Sequence, residues 1–121
     1  MQIAHWNVRG LGDSDKCSLV KDALLASRPS VVCLQETKLQ VVDTFKAASV
    51  LPTAQKSFVH MPANGTAGGL LLAWDDNVVS GLEILKHRFT ITVSFQSRSN
   101  DDSFVLSTVY APCDDAERDE C

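Results

Sequence analysis

The stretch from residue 2 to residue 36 constrains the fold more than any other, because it reads as a strand, a capped helix and a second strand. In residues 2–8, Ile3 and Val8 are apolar and Trp6 is available for packing, and Gly10-Leu11-Gly12 supplies a turn. Asp13, Ser14 and Asp15 offer N-cap side chains for a helix over residues 16–27. Leu19, Val20, Ala23 and Leu24 are its expected buried stripe, and Pro29 ends it. Val31-Val32-Cys33-Leu34 is a continuous apolar run, the pattern of a strand covered on both faces. A helix crossing between two strands makes them parallel, with a right-handed crossover. Their C-terminal ends then share one edge, which carries Asn7 from the first strand and Gln35-Glu36 from the second. Open α/β sheets place their sites outside that edge.

The rest of the chain is more β-like. A short amphipathic piece over residues 41–50 is followed by strands expected at 57–61 and 69–74, the turn Asp75-Asp76-Asn77, and strands at 82–86, 89–95 and 104–110, stopped by Pro112. The class is therefore mixed α/β, with antiparallel hairpins in the second half. No repeat, low-complexity tract or linker divides it, so residues 1–113 form one unit.

Charge separates the end of the chain from its body. The 15 acidic and 11 basic residues divide as five and one in residues 114–121, and ten and ten before them, so the whole net charge of −4 lies in the tail. A neutral body neither favours nor excludes a phosphate-rich partner. The tail, residues 114–121, is expected to be disordered. Cys17, Cys33, Cys113 and Cys121 show no C-x-x-C spacing, which argues for reduced thiols rather than a zinc or dithiol motif. The N-terminus lacks a basic region followed by an apolar one, and residues 69–74 are too short to cross a bilayer. The expectation is an intracellular protein with no membrane contact.

Four segments in order, Trp6-Asn7-Val8-Arg9-Gly10-Leu11, Cys33-Leu34-Gln35-Glu36-Thr37-Lys38, Gly68-Gly69-Leu70-Leu71-Leu72-Ala73-Trp74 and Val109-Tyr110-Ala111-Pro112, resemble the N-terminal half of the endonuclease/exonuclease/phosphatase superfamily. Within it, the wording is most similar to the apurinic-like endonuclease of non-LTR (LINE-type) retrotransposons. The resemblance implies a four-layer α/β/β/α sandwich, of which residues 1–112 would supply mainly the first mixed sheet and its helix. It also implies a Mg²⁺-dependent DNA endonuclease, Mn²⁺ being the alternative ion, and a nuclear location if the chain acts on DNA. The matching residues make Glu36 and Asn7 the metal-site pair and give Tyr110 the contact to the phosphate region. The chemistry agrees: a hard Mg²⁺ ion is held by one or two carboxylates and neutralises charge developing on phosphoryl oxygens. Glu36 is the best carboxylate for that task, and a neutral amide at Asn7 can orient a water or the phosphate. The phenol of Tyr110 can donate a hydrogen bond without adding charge.

The family completes its site with Asp-x-Asn and Ser-Asp-His elements after the tyrosine, and this sequence has neither there. Asp75-Asp76-Asn77 precedes the tyrosine and is read as a chance match; none of His5, His60 and His87 follows a Ser-Asp pair. Cys113 stands where the family usually has asparagine. Arg9 is either a phosphate contact or a solvated side chain, and the Gly65, Gly68 and Gly69 group is either an anion nest or a tight turn. Three functions stay open at this point: a truncated endonuclease inactive alone, a non-catalytic remnant or binding module, and a phosphoesterase acting on a non-nucleic-acid substrate. The expected sheet would also leave its inner face bare, which leaves three alternatives open: a gene fragment, self-association through that face, or repacking.

Overall fold

The first helix starts where its cap does. Asp13 Oδ1 accepts from the backbone N–H of Asp15 at 2.8 Å, and α1 (Ser14–Ser27) follows. Arg28 closes it in the left-handed region (φ 51°) with its N–H on the Leu24 carbonyl at 2.9 Å, so the helix stops before Pro29 is reached. The buried stripe is Cys17, Val20 and Leu24, which corrects the expected one: Leu19 is 58% exposed and Ala23 faces solvent. At about 100° per residue, a helix whose inner side is set by positions 17, 20 and 24 turns position 19 to its far side.

The computed structural model describes residues 1–64, 68–87 and 90–109. Its other elements are β1 (Ile3–Asn7), β2 (Val31–Gln35), α2 (Thr44–Val50), β3 (Ser57–Met61), β4 (Leu70–Trp74), β5 (Val79–His87), β6 (Thr90–Ser97) and β7 (Ser103–Val109). Strands therefore form where the apolar runs place them. The fifth is longer than expected because Val79 enters it directly and an irregularity between Gly81 and Glu83 lets it continue. Tyr110, Cys113 and the acidic residues 114–121 lie outside the described residues, as does Gly65.

Two sheets result, ordered β1-β2-β4-β3 and β5-β6-β7. The parallel pairing of β1 with β2, Ile3 opposite Val31 through Asn7 opposite Gln35, is the one the crossover helix dictates. Alternation then sorts the first sheet's side chains onto two faces. Val32, Leu34, Leu71 and Ala73 pack with Val20 and Leu24 under the helices, while Val31, Cys33, Leu70, Leu72 and Trp74 pack with Val79, Ile91, Val93 and Phe95 of the second sheet. Burying each such side chain stabilises the fold by about 1.5–3 kcal/mol before chain entropy is counted. Trp74 meets Phe95 edge to face (5.2 Å, 79°), and Phe95 stacks on Phe104 (5.3 Å, 27°).

The inner face of the first sheet is therefore not bare, contrary to expectation. Residues 79–109 build a sheet of their own over β2, β4 and β3, because their inward positions are apolar. Among the described residues, cover is missing along β1, where Ile3, His5 and Asn7, on the same face as Val31, Cys33 and Gln35, are exposed. No helix of the described residues is long and apolar enough to cross a membrane.

Candidate functional site

Asn7 and Glu36 meet. The Asn7 side-chain amide donates to a Glu36 carboxylate oxygen, and Asn7 Oδ1 accepts from the backbone N–H of Arg9 at 3.2 Å. These are residues 29 apart in sequence, joined because the last register pair of β1 and β2 is Asn7 opposite Gln35.

Beyond the strands, the pairing is carried on by loop backbone. Val8, Gly10 and Leu11 donate to the carbonyls of Gln35, Glu36 and Thr37 at 3.0, 2.7 and 2.9 Å, and Thr37 and Lys38 donate to those of Gly69 and Gly68 at 3.2 and 2.8 Å. Such close zippering of two turns needs unusual backbone. Arg9 (φ 55°), Glu36 (φ 54°) and Lys38 (φ 57°) all occupy the left-handed region without being glycine. Each costs about 1–3 kcal/mol and persists only where surroundings impose it, a condition that clusters at functional sites. Gly68 (φ 82°) and Gly69 (φ 95°) form a tight strand start whose carbonyls are used by the Glu36 loop, so the plainer reading of these two glycines holds.

Thr37 is fully buried beneath this edge and Glu36 is half-buried on it, with the side chains of Arg9 and Lys38 exposed on either side in the sequence. Cys33, two residues below Gln35, has its thiol pushed up to about 12 by burial, so it stays protonated and offers neither a nucleophile nor a metal ligand. His60, on the far edge strand β3, has its pKa lowered by burial and by the Lys86 ammonium, partly offset by the Leu39 backbone. One strand, β4, separates it from β2, and neither His87 nor His5, which is exposed two residues before Asn7 on the same face of β1, is hydrogen-bonded to the pair.

Asp75-Asp76-Asn77 sits at the opposite end of the sheet: Asp75 donates its N–H to the Ser30 carbonyl at 2.9 Å, just ahead of β2. Six residues of extended chain, from Ser30 to Glu36, put it about 20 Å from Glu36. Its carboxylates hold structure instead, Asp76 accepting from Ser57 and from Trp74 Nε1, the latter at 3.0 Å. Among the described residues no three His, Cys, Asp or Glu side chains cluster to hold a metal ion. Among the described residues, Glu36 is the carboxylate hydrogen-bonded to Asn7. One contact escaped the sequence reading, which placed Gln35 at this edge without a role: its Nε2 donates to the Val109 carbonyl at 3.1 Å. Its signal was there, a polar residue continuing the row of Val31 and Cys33.

Residues 4–113 match the endonuclease/exonuclease/phosphatase family. The chain belongs to this family. Solved structures of similar fold include the human Nocturnin catalytic domain with bound sulfate anion, at TM-score 0.75 and 16% identity over 93% of this chain and 49% of that one. The AP endonuclease LMAP from Leishmania major follows at TM-score 0.66 and 21% identity, over 88% and 38%. D. rerio TDP2 complexed with single strand DNA product is similar at 0.59 and 19%, over 96% and 48%. At these identities the likeness shows the fold, and the chain spans about half or less of each structure's length. No curated protein matches the chain.

Proposed function

We propose that this chain carries the N-terminal part of a divalent-metal-dependent DNA endonuclease site of LINE-type retrotransposon origin, and that these 121 residues alone do not cleave. The observation that carries the reading is the Asn7 amide bound to the Glu36 carboxylate at the shared edge of two parallel strands. Family membership supports phosphoester chemistry, and the similar structures include an AP endonuclease and one complex with single strand DNA product.

The residues fit a hard cation. A single carboxylate, with water in the remaining positions, is a donor set that Mg²⁺ or Mn²⁺ accepts and that zinc or copper does not favour. Glu36 would hold the ion, which when bound supplies charge neutralisation at a phosphodiester. Asn7 keeps one carboxylate oxygen occupied and so orients the other. The exposed Arg9 and Lys38 are the cations available to phosphates flanking the scissile one. Tyr110, outside the described residues, keeps its proposed contact to the phosphate region. A nuclear location goes with a chromosomal DNA substrate and is checked by imaging a tagged chain.

Mn²⁺ titration followed by NMR line broadening tests the site. Broadening centred on Asn7 and Glu36, abolished in Glu36→Ala, is expected; none at millimolar Mn²⁺ would sink the reading. Plasmid nicking with Mg²⁺ tests the rest: Glu36-dependent nicking by this chain alone would overturn its proposed inactivity. The retrotransposon origin is tested by the flanking genomic DNA, where a reverse-transcriptase reading frame downstream is expected.

A further inference from the structure

We propose that Gln35 is a positioning residue for the candidate site: its side-chain amide fixes the end of the second sheet to the edge that carries Glu36. The inference rests on the metal-site reading above and adds to it the group that sets where the second sheet meets the site.

The two sheets are held together mainly by an apolar layer, and apolar attraction is non-directional. It holds the sheets together without fixing how they slide. Among the described residues, only two side-chain hydrogen bonds run from a strand of one sheet to a strand of the other. Lys86 Nζ reaches the His60 carbonyl at 2.8 Å on the outlying strand β3. Gln35 Nε2 reaches the Val109 carbonyl at 3.1 Å, and only this one lies at the site.

Its placement is specific. Gln35 stands opposite Asn7 in β1 and opposite Leu70 in β4, immediately before Glu36, and points to the same face as Val31 and Cys33. One amide thus connects the residue beside the Asn7–Glu36 pair to the last described residue of β7, 74 positions away in sequence. Thr108, next to Val109, is buried, and its hydroxyl finds no partner among the described residues, so it supplies no alternative tie. Only a side chain with a donor at the length of glutamine makes this contact. Methionine matches its length and lacks the donor; glutamate turns an acceptor toward a carbonyl.

NMR on the whole chain decides the matter, comparing wild type with Gln35→Met and Gln35→Glu. In both variants hydrogen exchange over residues 106–108 is expected to speed up by about tenfold, the worth of one good hydrogen bond, while residues 31–34 keep their protection. Unchanged exchange at 106–108 in a folded variant overturns the proposal. If neither variant folds, the wild type alone suffices. A through-hydrogen-bond coupling from the Gln35 side-chain amide to the Val109 carbonyl is expected, and its absence overturns the proposal.

Mn²⁺ separates a positioning role from a merely structural one. Gln35→Met should retain Mn²⁺ affinity within about threefold, since Glu36 is intact, yet lose the broadening of the Val109 methyl signals seen in wild type. Equal Val109 broadening in both would leave the hydrogen bond structural and sink the positioning role. Absence of any wild-type Mn²⁺ effect at Glu36 would instead remove the metal site, with the exchange measurement still deciding the tie.

Discussion

At the scale of single residues, backbone conformation decides more than side-chain chemistry. Gly69 has φ 95°, and a Cβ placed there would run into Oγ1 of the fully buried Thr37 and crowd the backbone N of Lys38. Gly69→Ala is therefore expected to lower stability by about 2–4 kcal/mol, left-handed strain and overpacking combined, read as a fall in the urea midpoint. Glu36 presents the opposite case, a non-glycine held at φ 54°. Removing its Cβ relieves that strain, so Glu36→Gly should be more stable than Glu36→Ala by about 1 kcal/mol, although neither retains the carboxylate. Equal urea midpoints for the two variants would show that the site stores no backbone strain.

At the scale of elements, the strands at the sheet margins carry the pH dependence. His60 on β3 has its pKa lowered from the ordinary 6.5, first by burial and then by the Lys86 ammonium. A histidine depressed on folding takes its proton more readily when unfolded, so the unfolded state binds more protons as the pH drops below 6.5. Stability contributed by keeping this ring neutral is intact above that pH and lost as the pH falls toward the folded value. The urea midpoint of the wild type should accordingly drop more between about pH 7 and pH 5 than that of His60→Gln; parallel curves would refute the assignment. The first helix was legible at the same scale because its signals are local, whereas residues 41–50 read only as a short amphipathic piece and the structure supplies the helix and its cap. Asp13 and Asp43 cap α1 and α2 through N–H groups two and three residues on. The inner face of α1 was not legible, since Leu19 is as apolar as Leu24 and only the docked orientation distinguishes them.

At the scale of the whole molecule, the sandwich depends on what lies between its sheets. Phe95 is fully buried, with Trp74 of the first sheet on one side and Phe104 of the second on the other. Phe95→Ala should cost about 3–5 kcal/mol, a large share of a small domain's total of about 5–15 kcal/mol. Calorimetry should show a sharply lowered Tm and increased binding of a hydrophobic dye; a fall of only a few degrees would mean that the sheets are held chiefly by other contacts. The family's four-layer plan was read from its motifs, yet the cover that β5, β6 and β7 place on the first sheet was not, because alternation in Ile91, Val93 and Phe95 marks a buried face without saying against what.

The sequence by itself determined the parallel β1–α1–β2 unit, the strand positions and the edge where Asn7 and Glu36 emerge, since caps, apolar periodicity and crossover handedness act over short stretches of chain. Only the tertiary structure decided that the Asn7 amide is bonded to Glu36, that Asp75-Asp76-Asn77 lies at the other end of the sheet, and that Gln35 reaches Val109. Those contacts join residues 29 and 74 positions apart. Register and sheet-on-sheet packing bring them together, and neither is encoded in the pattern of any one segment.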